Sequence, residues 1–195
     1  MGLREINATR TRQLIVDAAM ERFFEHGYDE TTMEDVAAHA GVGISTLYRY
    51  FPTKDQLGTA LLGDPGFMAA ELTSRPESES VEKALGHAVL AFLTAVGRND
   101  QQAEDFERLV DENPRLQVRL LEWLMLAHQA LAEAVAVRQG RPGDDLSSAA
   151  TAWMAVFVLQ SVGEARKAGD PRPADKVASA LMKKLAADPP LVPQR

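Results

Sequence analysis

The 195-residue chain predicts an all-α protein. Two observations carry that expectation. Apolar residues recur at helical spacing in almost every segment, and no stretch alternates with the period of two that a half-buried strand needs. Glycine and proline also fall where helices must stop or start. With 46% hydrophobic and 25% charged residues, the composition is that of a globular protein long enough to bury a real core without staples.

Each element can be justified in order. Ile15, Ala18, Ala19 and Phe23 mark a first helix over residues 7–26, and Gly27 stands where a left-handed terminal residue is wanted. Thr31-Thr32-Met33-Glu34 then reads as a capping box, with Thr31 as cap and Glu34 reaching back. Val36, Ala37 and Ala40 supply the buried stripe of this short helix, and Gly41 ends it after about two turns. A second short helix follows from Ile44 to about Phe51, with Leu47 and Phe51 four apart on its inward face. Thr53-Lys54-Asp55-Gln56 is another capping box, opening a fourth helix through Leu57, Leu61 and Leu62.

Residues 63–80 are rich in turn formers, and part of that stretch has room for a helix. The domain boundary is placed here, giving domains 1–62 and 63–195. Beyond it, helices are expected near 81–97, 101–111, 115–139, 146–168 and 174–187, with Asn113 as a cap and Pro114 in a first turn.

The chain has no cysteine, which excludes a disulfide framework, a thiolate zinc site and a cysteine nucleophile, and fits a reducing, cytoplasmic setting. The polar N-terminus lacks the apolar core of a secretory signal. Leu146 to Gly163 is the longest stretch without charge. Its Ser147, Ser148, Thr151, Gln160 and Ser161 make it fall short of a bilayer-spanning segment, so a buried helix and no membrane partner are expected. His26, His39, His87 and His128 show no metal-ligand spacing, and neither a nucleophile elbow nor a phosphate loop occurs. Neither catalysis, a metal nor a cofactor is expected.

Two short helices meeting at a glycine after a longer helix form the unit that presents its second helix to a DNA major groove. The net charge of −7 argues against nucleic acid only for the molecule as a whole. Residues 1–12 hold Arg4, Arg10 and Arg12 against Glu5, and residues 42–54 hold Arg49 and Lys54 with no acid. Ser45, Thr46, Tyr48, Arg49, Tyr50, Thr53 and Lys54 offer donors suited to phosphates and base edges. The helix N-termini at Gly43 and Thr53 add oriented N–H groups.

These residues carry a family resemblance. Thr31-Thr32-Met33-Glu34-Asp35-Val36-Ala37, Ala40-Gly41-Val42, Thr46-Leu47-Tyr48-Arg49-Tyr50-Phe51 and Lys54-Asp55-Gln56-Leu57 resemble the N-terminal signature of TetR-type transcriptional repressors. Ile15 to Ala19 and Phe23 to Tyr28 match as well. The resemblance implies a homodimer on a palindromic double-stranded DNA operator, released when a small-molecule effector occupies the C-terminal domain. It places Ile44, Ser45, Thr46 and Tyr48 near bases, and Tyr48, Arg49, Tyr50 and Lys54 near phosphates. Arg4, Thr32 and Gly43 complete the expected DNA-facing set. Family members often carry serine where Gly43 stands and glycine where Ser45 stands, so the cap of this helix is weaker here. An activator, a partner-regulated regulator and a helical module that no longer binds DNA remain open as alternatives; Tyr48, Arg49 and Lys54 on an acid-free stretch favour DNA.

The segment Ala149 to Leu159 is apolar almost all round, and a second subunit is the simplest cover for the face its own domain leaves open. Trp153, Val156 and Leu159, with Val177, Leu181 and Leu185 of the final helix, are the expected dimer interface. Phe67, Met68, Phe92, Phe106, Trp123, Met125 and His128 are candidates to line an effector pocket, against the ordinary reading of such residues as core.

Overall fold

The computed structural model describes residues 2–96 and 100–190; side chains at 3–5 and 100–102 lie outside that description. Among the described residues every regular element is a helix. They are α1 (Leu3–His26), α2 (Met33–His39), α3 (Ile44–Tyr50), α4 (Lys54–Gly58), a single 3-10 turn (Ala60–Leu62), α5 (Phe67–Ser74), α6 (Val81–Val96), α7 (Asp100–Glu112), α8 (Pro114–Arg138), α9 (Leu146–Lys167) and α10 (Ala174–Ala187). The chain forms two compact units. One comprises Met1–Gly63 and Glu104–Glu122, the other Asp64–Ala103 and Trp123–Arg195.

The first unit is organised by α1, which buries Ile15, Val16, Ala19, Met20 and Phe23 along one face. Gly27 ends it at φ +87°, a left-handed conformation that costs glycine nothing, and its N–H closes on the Phe23 carbonyl at 3.0 Å. Helices α2 and α4 pack against α1, and α3 packs on α2 across Gly41, which sits at φ +66°. The capping box of α2 lies one residue later than the sequence pattern suggests. Thr32 is the cap, its hydroxyl accepting from the Asp35 N–H while its own N–H donates to the Asp35 carboxylate. Thr31 is buried instead, its hydroxyl bonded to the carbonyls of Gly27 at 2.9 Å and Arg22 at 3.1 Å, where it closes the end of α1. Helix α4 is shorter than expected, and Leu61 and Leu62 belong to the 3-10 turn. Glu104–Glu122 adds the buried Phe106, Leu109, Val110 and Leu116 to this unit.

In the second unit α6 packs against α5, α9 and α10, and α9 packs on α10. The core comes from Met68 and Leu72 of α5, Ala84, Ala88 and Val89 of α6, Ala127, Leu131 and Val135 of α8, and Ala152 and Val156 of α9. Small residues at these crossings let the helix axes approach closely. Helix α9 is capped by Asp145, whose carboxylate accepts from the Ser148 N–H at 2.7 Å. By length and composition both α8 and α9 are apolar enough to cross a membrane, which revises the expectation for Leu146 to Gly163. The buried face of α9, running through Ser148, Ala152, Ala155, Val156 and Val162, is the packing face of a core helix.

Candidate nucleic-acid interface

Helix α3 is seven residues long, too short to persist alone, so tertiary anchoring sets its position. Leu47 is 0% exposed and Phe51, at its C-terminal end, is also buried. The opposite side is open: Tyr48 is 44% exposed, Ile44, Ser45 and Arg49 are exposed, and Thr46 and Tyr50 are half-buried. Gly43 leads into the helix with no side-chain cap. The Arg49 guanidinium lies 5.5 Å from the Tyr50 ring centre. Arg12 of α1 stands 4.9 Å from the Phe51 ring centre, which brings a second cation beside the end of α3. In the sequence Arg12 reads only as a basic residue of the N-terminal segment, because the ring that holds it is 39 positions away.

Lys54 behaves differently from the expectation. Its ammonium donates to the carbonyls of Tyr28 at 2.6 Å, Asp29 at 3.2 Å and Thr31 at 3.0 Å, and lies 4.4 Å from the Tyr28 ring centre. An ammonium has three donors. All three are used inside the unit, so Lys54 ties the α1–α2 turn to α4. The neighbouring Tyr28 is buried, donates its hydroxyl to Asp55 at 2.6 Å and packs its ring 5.0 Å from that of Phe23. Burial first, then the bond to Asp55, pushes this hydroxyl far above the usual tyrosine range. Thr32 is likewise committed: its hydroxyl bonds to the Asp35 carboxylate at 2.6 Å, and these contacts hold that carboxyl below its usual range. The Arg4 side chain lies outside the described residues. Of the expected set, Ile44, Ser45, Thr46, Tyr48, Arg49 and Tyr50 therefore share the open side of α3 with the Gly43 backbone.

The candidates for effector binding separate. In the second unit Phe67 lies 6.3 Å from Phe92, and Phe92 stacks on Trp123 at 5.1 Å. Met68 is buried in the same unit. Phe106 is buried in the first unit, and Met125 is exposed. His128 stacks on Trp153 at 4.1 Å, with Nε2 3.0 Å from the Ala149 carbonyl. The expected dimer set also needs correction. Val156 is 0% exposed and Val177 is buried, both covered by their own chain, whereas Leu159, Leu181 and Leu185 are half-buried. Of that set Trp153, 43% exposed, does stand on the outward side of α9, joined there by Phe157, 47% exposed, four residues on. Among the described residues no group of three or more His, Cys, Asp or Glu could hold a metal ion.

This geometry agrees with what the chain resembles. Residues 15–61 match the family model for bacterial regulatory proteins of the tetR family, and residues 79–189 match that of the MftR C-terminal domain. The chain is 31% identical over 152 residues to the HTH-type transcriptional regulator TcmR of Streptomyces glaucescens, covering 74% of this chain and 67% of that one. Two solved structures share the fold, each with a TM-score of 0.63. One is SmeT in complex with triclosan, 20% identical, covering 95% of this chain and 96% of that chain. The other is NalD, the secondary repressor of the MexAB-OprM multidrug efflux pump in Pseudomonas aeruginosa, 17% identical, covering 92% and 96%. The chain belongs to the TetR family of helix-turn-helix transcriptional regulators, which bind DNA.

Proposed function

We propose that this regulator is a cytoplasmic homodimeric repressor that reads a palindromic operator with α3 and is released by a small molecule bound in the second unit. It works by binding, not by catalysis. The observation that carries the reading is the division of α3: Leu47 is locked into the core while Ile44, Ser45, Tyr48 and Arg49 stand open on the other side. A recognition helix needs that arrangement, since base edges are read by side chains whose backbone is held fixed. Arg49 and Arg12 supply cations for phosphates beside it. Trp153 and Phe157 on α9 give a second copy an apolar surface to cover, and a twofold dimer presents two α3 helices to two half-sites. The Phe67, Phe92 and Trp123 row supplies apolar and aromatic surface for an effector. Such a ligand releases DNA only by binding the DNA-incompetent arrangement more tightly, with coupling of about 1–3 kcal/mol.

The test is selection of bound duplex from fragmented genomic DNA at low salt, followed by affinity measurement on the recovered sequence. The recovered site should be palindromic, and affinity should fall steeply as salt rises through counterion release. Replacing both Tyr48 and Arg49 with alanine should weaken operator binding by roughly tenfold or more while helix content and melting stay unchanged. Full operator affinity in that double variant removes α3 from the interface.

A further inference from the structure

We infer that Leu116, seated against Gly58, is a positioning residue for the recognition helix, the point at which the Glu104–Glu122 segment sets where α4 and the α1–α2 turn stand. The inference rests on the DNA-binding reading of α3 and adds to it a residue far from the DNA face in sequence.

The observation is a missing side chain. A Cβ built on Gly58 would lie 2.7 Å from Leu116 Cδ2, 3.3 Å from Leu116 Cδ1 and 3.1 Å from the Tyr28 ring. Leu116 is fully buried, and Gly58 is buried too. Three chain segments thus meet where Gly58 leaves no room to spare: the end of α4, the first turn of α8, and the α1–α2 turn. Gly58 ends α4 without a left-handed φ, so no turn geometry requires glycine there, and the close approach of Leu116 does.

From that meeting point the contacts lead to α3. Tyr28 bonds to Asp55 in the first turn of α4, and Lys54, one residue earlier, holds the carbonyls of Tyr28, Asp29 and Thr31. Thr31 is followed by Thr32, the cap of α2, and α2 carries α3 across Gly41. Arg115, next to Leu116, acts on the Tyr28 hydroxyl in the sense opposite to Asp55. Helix α4 has five residues and no capacity to hold its own position. What presses on its last residue sets its placement.

The test is a bump-and-hole cycle on the full-length chain, read with the operator fragment selected by the wild-type protein and with a random duplex of equal length. Gly58→Ala should lower operator affinity on the order of tenfold. Its affinity for random duplex should be unchanged, because the charges of the DNA face are untouched; a folding defect would lower both together. Leu116→Ala should weaken operator binding by opening a void, and the double variant, with the new methyl in the space that Leu116 vacates, should bind better than Gly58→Ala alone. Leu116→Val, which adds no bulk, serves if Gly58→Ala does not fold, and should also lose operator affinity selectively. Unchanged operator affinity in a folded Gly58→Ala protein overturns the inference, as does a double variant no better than Gly58→Ala, or a folded Leu116→Val protein with wild-type affinity. Wild-type protein that retains no duplex at all is a different result, and overturns the DNA-binding reading together with this one.

Discussion

Each unit of the molecule spends one cation on backbone carbonyls, and the two do it differently. In the first, the Lys54 ammonium draws together three carbonyls of the α1–α2 turn, 23 to 26 residues away. In the second, the Arg138 guanidinium at the end of α8 reaches four carbonyls, those of Leu72, Arg75, Pro76 and Glu79, 59 to 66 residues away. The compact ammonium saturates its donors on one tight turn. The planar fork spans the end of α5 and the loop that follows, and leaves its Nε buried without a hydrogen-bond partner among the described residues. That loop is secured again from its other side, where Arg75 pairs bidentately with Glu79 and His87 Nδ1 lies 2.9 Å from the same carboxylate. The comparison teaches that positive charge in a DNA-binding protein is not by itself a DNA contact. A cation in an acidic helical protein has a competing use wherever helix ends leave carbonyls unsatisfied.

The largest expected loss comes from Arg138. Arg138→Met keeps much of the apolar stem and removes donors from four carbonyls, and should destabilise the second unit by about 4 kcal/mol. Both tryptophans, Trp123 and Trp153, lie in that unit, so their fluorescence should report the loss in a denaturant titration. Lys54→Met should cost about 3 kcal/mol, and this time in the first unit. All three tyrosines, Tyr28, Tyr48 and Tyr50, lie there, and their absorbance should shift to lower denaturant while tryptophan emission moves less. A Lys54→Met protein with wild-type stability and weakened phosphate binding would reverse the assignment and return Lys54 to the DNA face.

How far the sequence foretold this depends on whether a feature is local. Gly27 and Gly41 mark helix ends because a left-handed terminus is a property of one residue; the expected end at residue 97 lies outside the described residues, and the other limits from residue 81 onward fall within two residues of those expected. The α2 cap is ambiguous by one position in the sequence because Thr31–Glu34 and Thr32–Asp35 have the same spacing. The choice between them was made by the carbonyls of Arg22 and Gly27, which take the Thr31 hydroxyl. The α3 surface was legible from a four-residue repeat of Leu47 and Phe51. The role of Lys54 was not, since its partners lie more than twenty residues back. On α9, a segment apolar all round has no periodicity to separate core from surface, so the pattern does not show that Val156 faces inward and Phe157 outward.

The smallest expected effects separate the units by pH. In the second unit four carboxyls are held below their usual range: Asp145 by the Ser148 cap, Glu79 by Arg75, Glu82 by backbone and Ser80 bonds, and Asp170 by Arg172, which lowers it to about 2. In the first unit the Asp35 carboxyl is lowered by its Thr32 contacts. A carboxyl depressed in the folded state contributes stability that is complete above its unfolded value, near 4, and is lost as pH falls toward the folded one. Acid should therefore weaken the second unit more. Tyr28 has the opposite sign: its folded value is raised, so its contribution is complete below about 10 and drains away as pH rises beyond. Alkali should weaken the first unit more. Urea midpoints followed by tryptophan emission should drop faster than those followed by tyrosine between pH 5 and about 3. The order should invert above about pH 10, with the last increment of tyrosinate absorbance arriving only as helix content is lost. Asp145→Asn keeps an acceptor at the cap and removes the titrating group, and should flatten the acid limb of the tryptophan curve while leaving the alkaline limb in place. Parallel loss of both signals at both extremes would mean that the two units unfold as one, and that their separate polar networks do not set their separate stabilities.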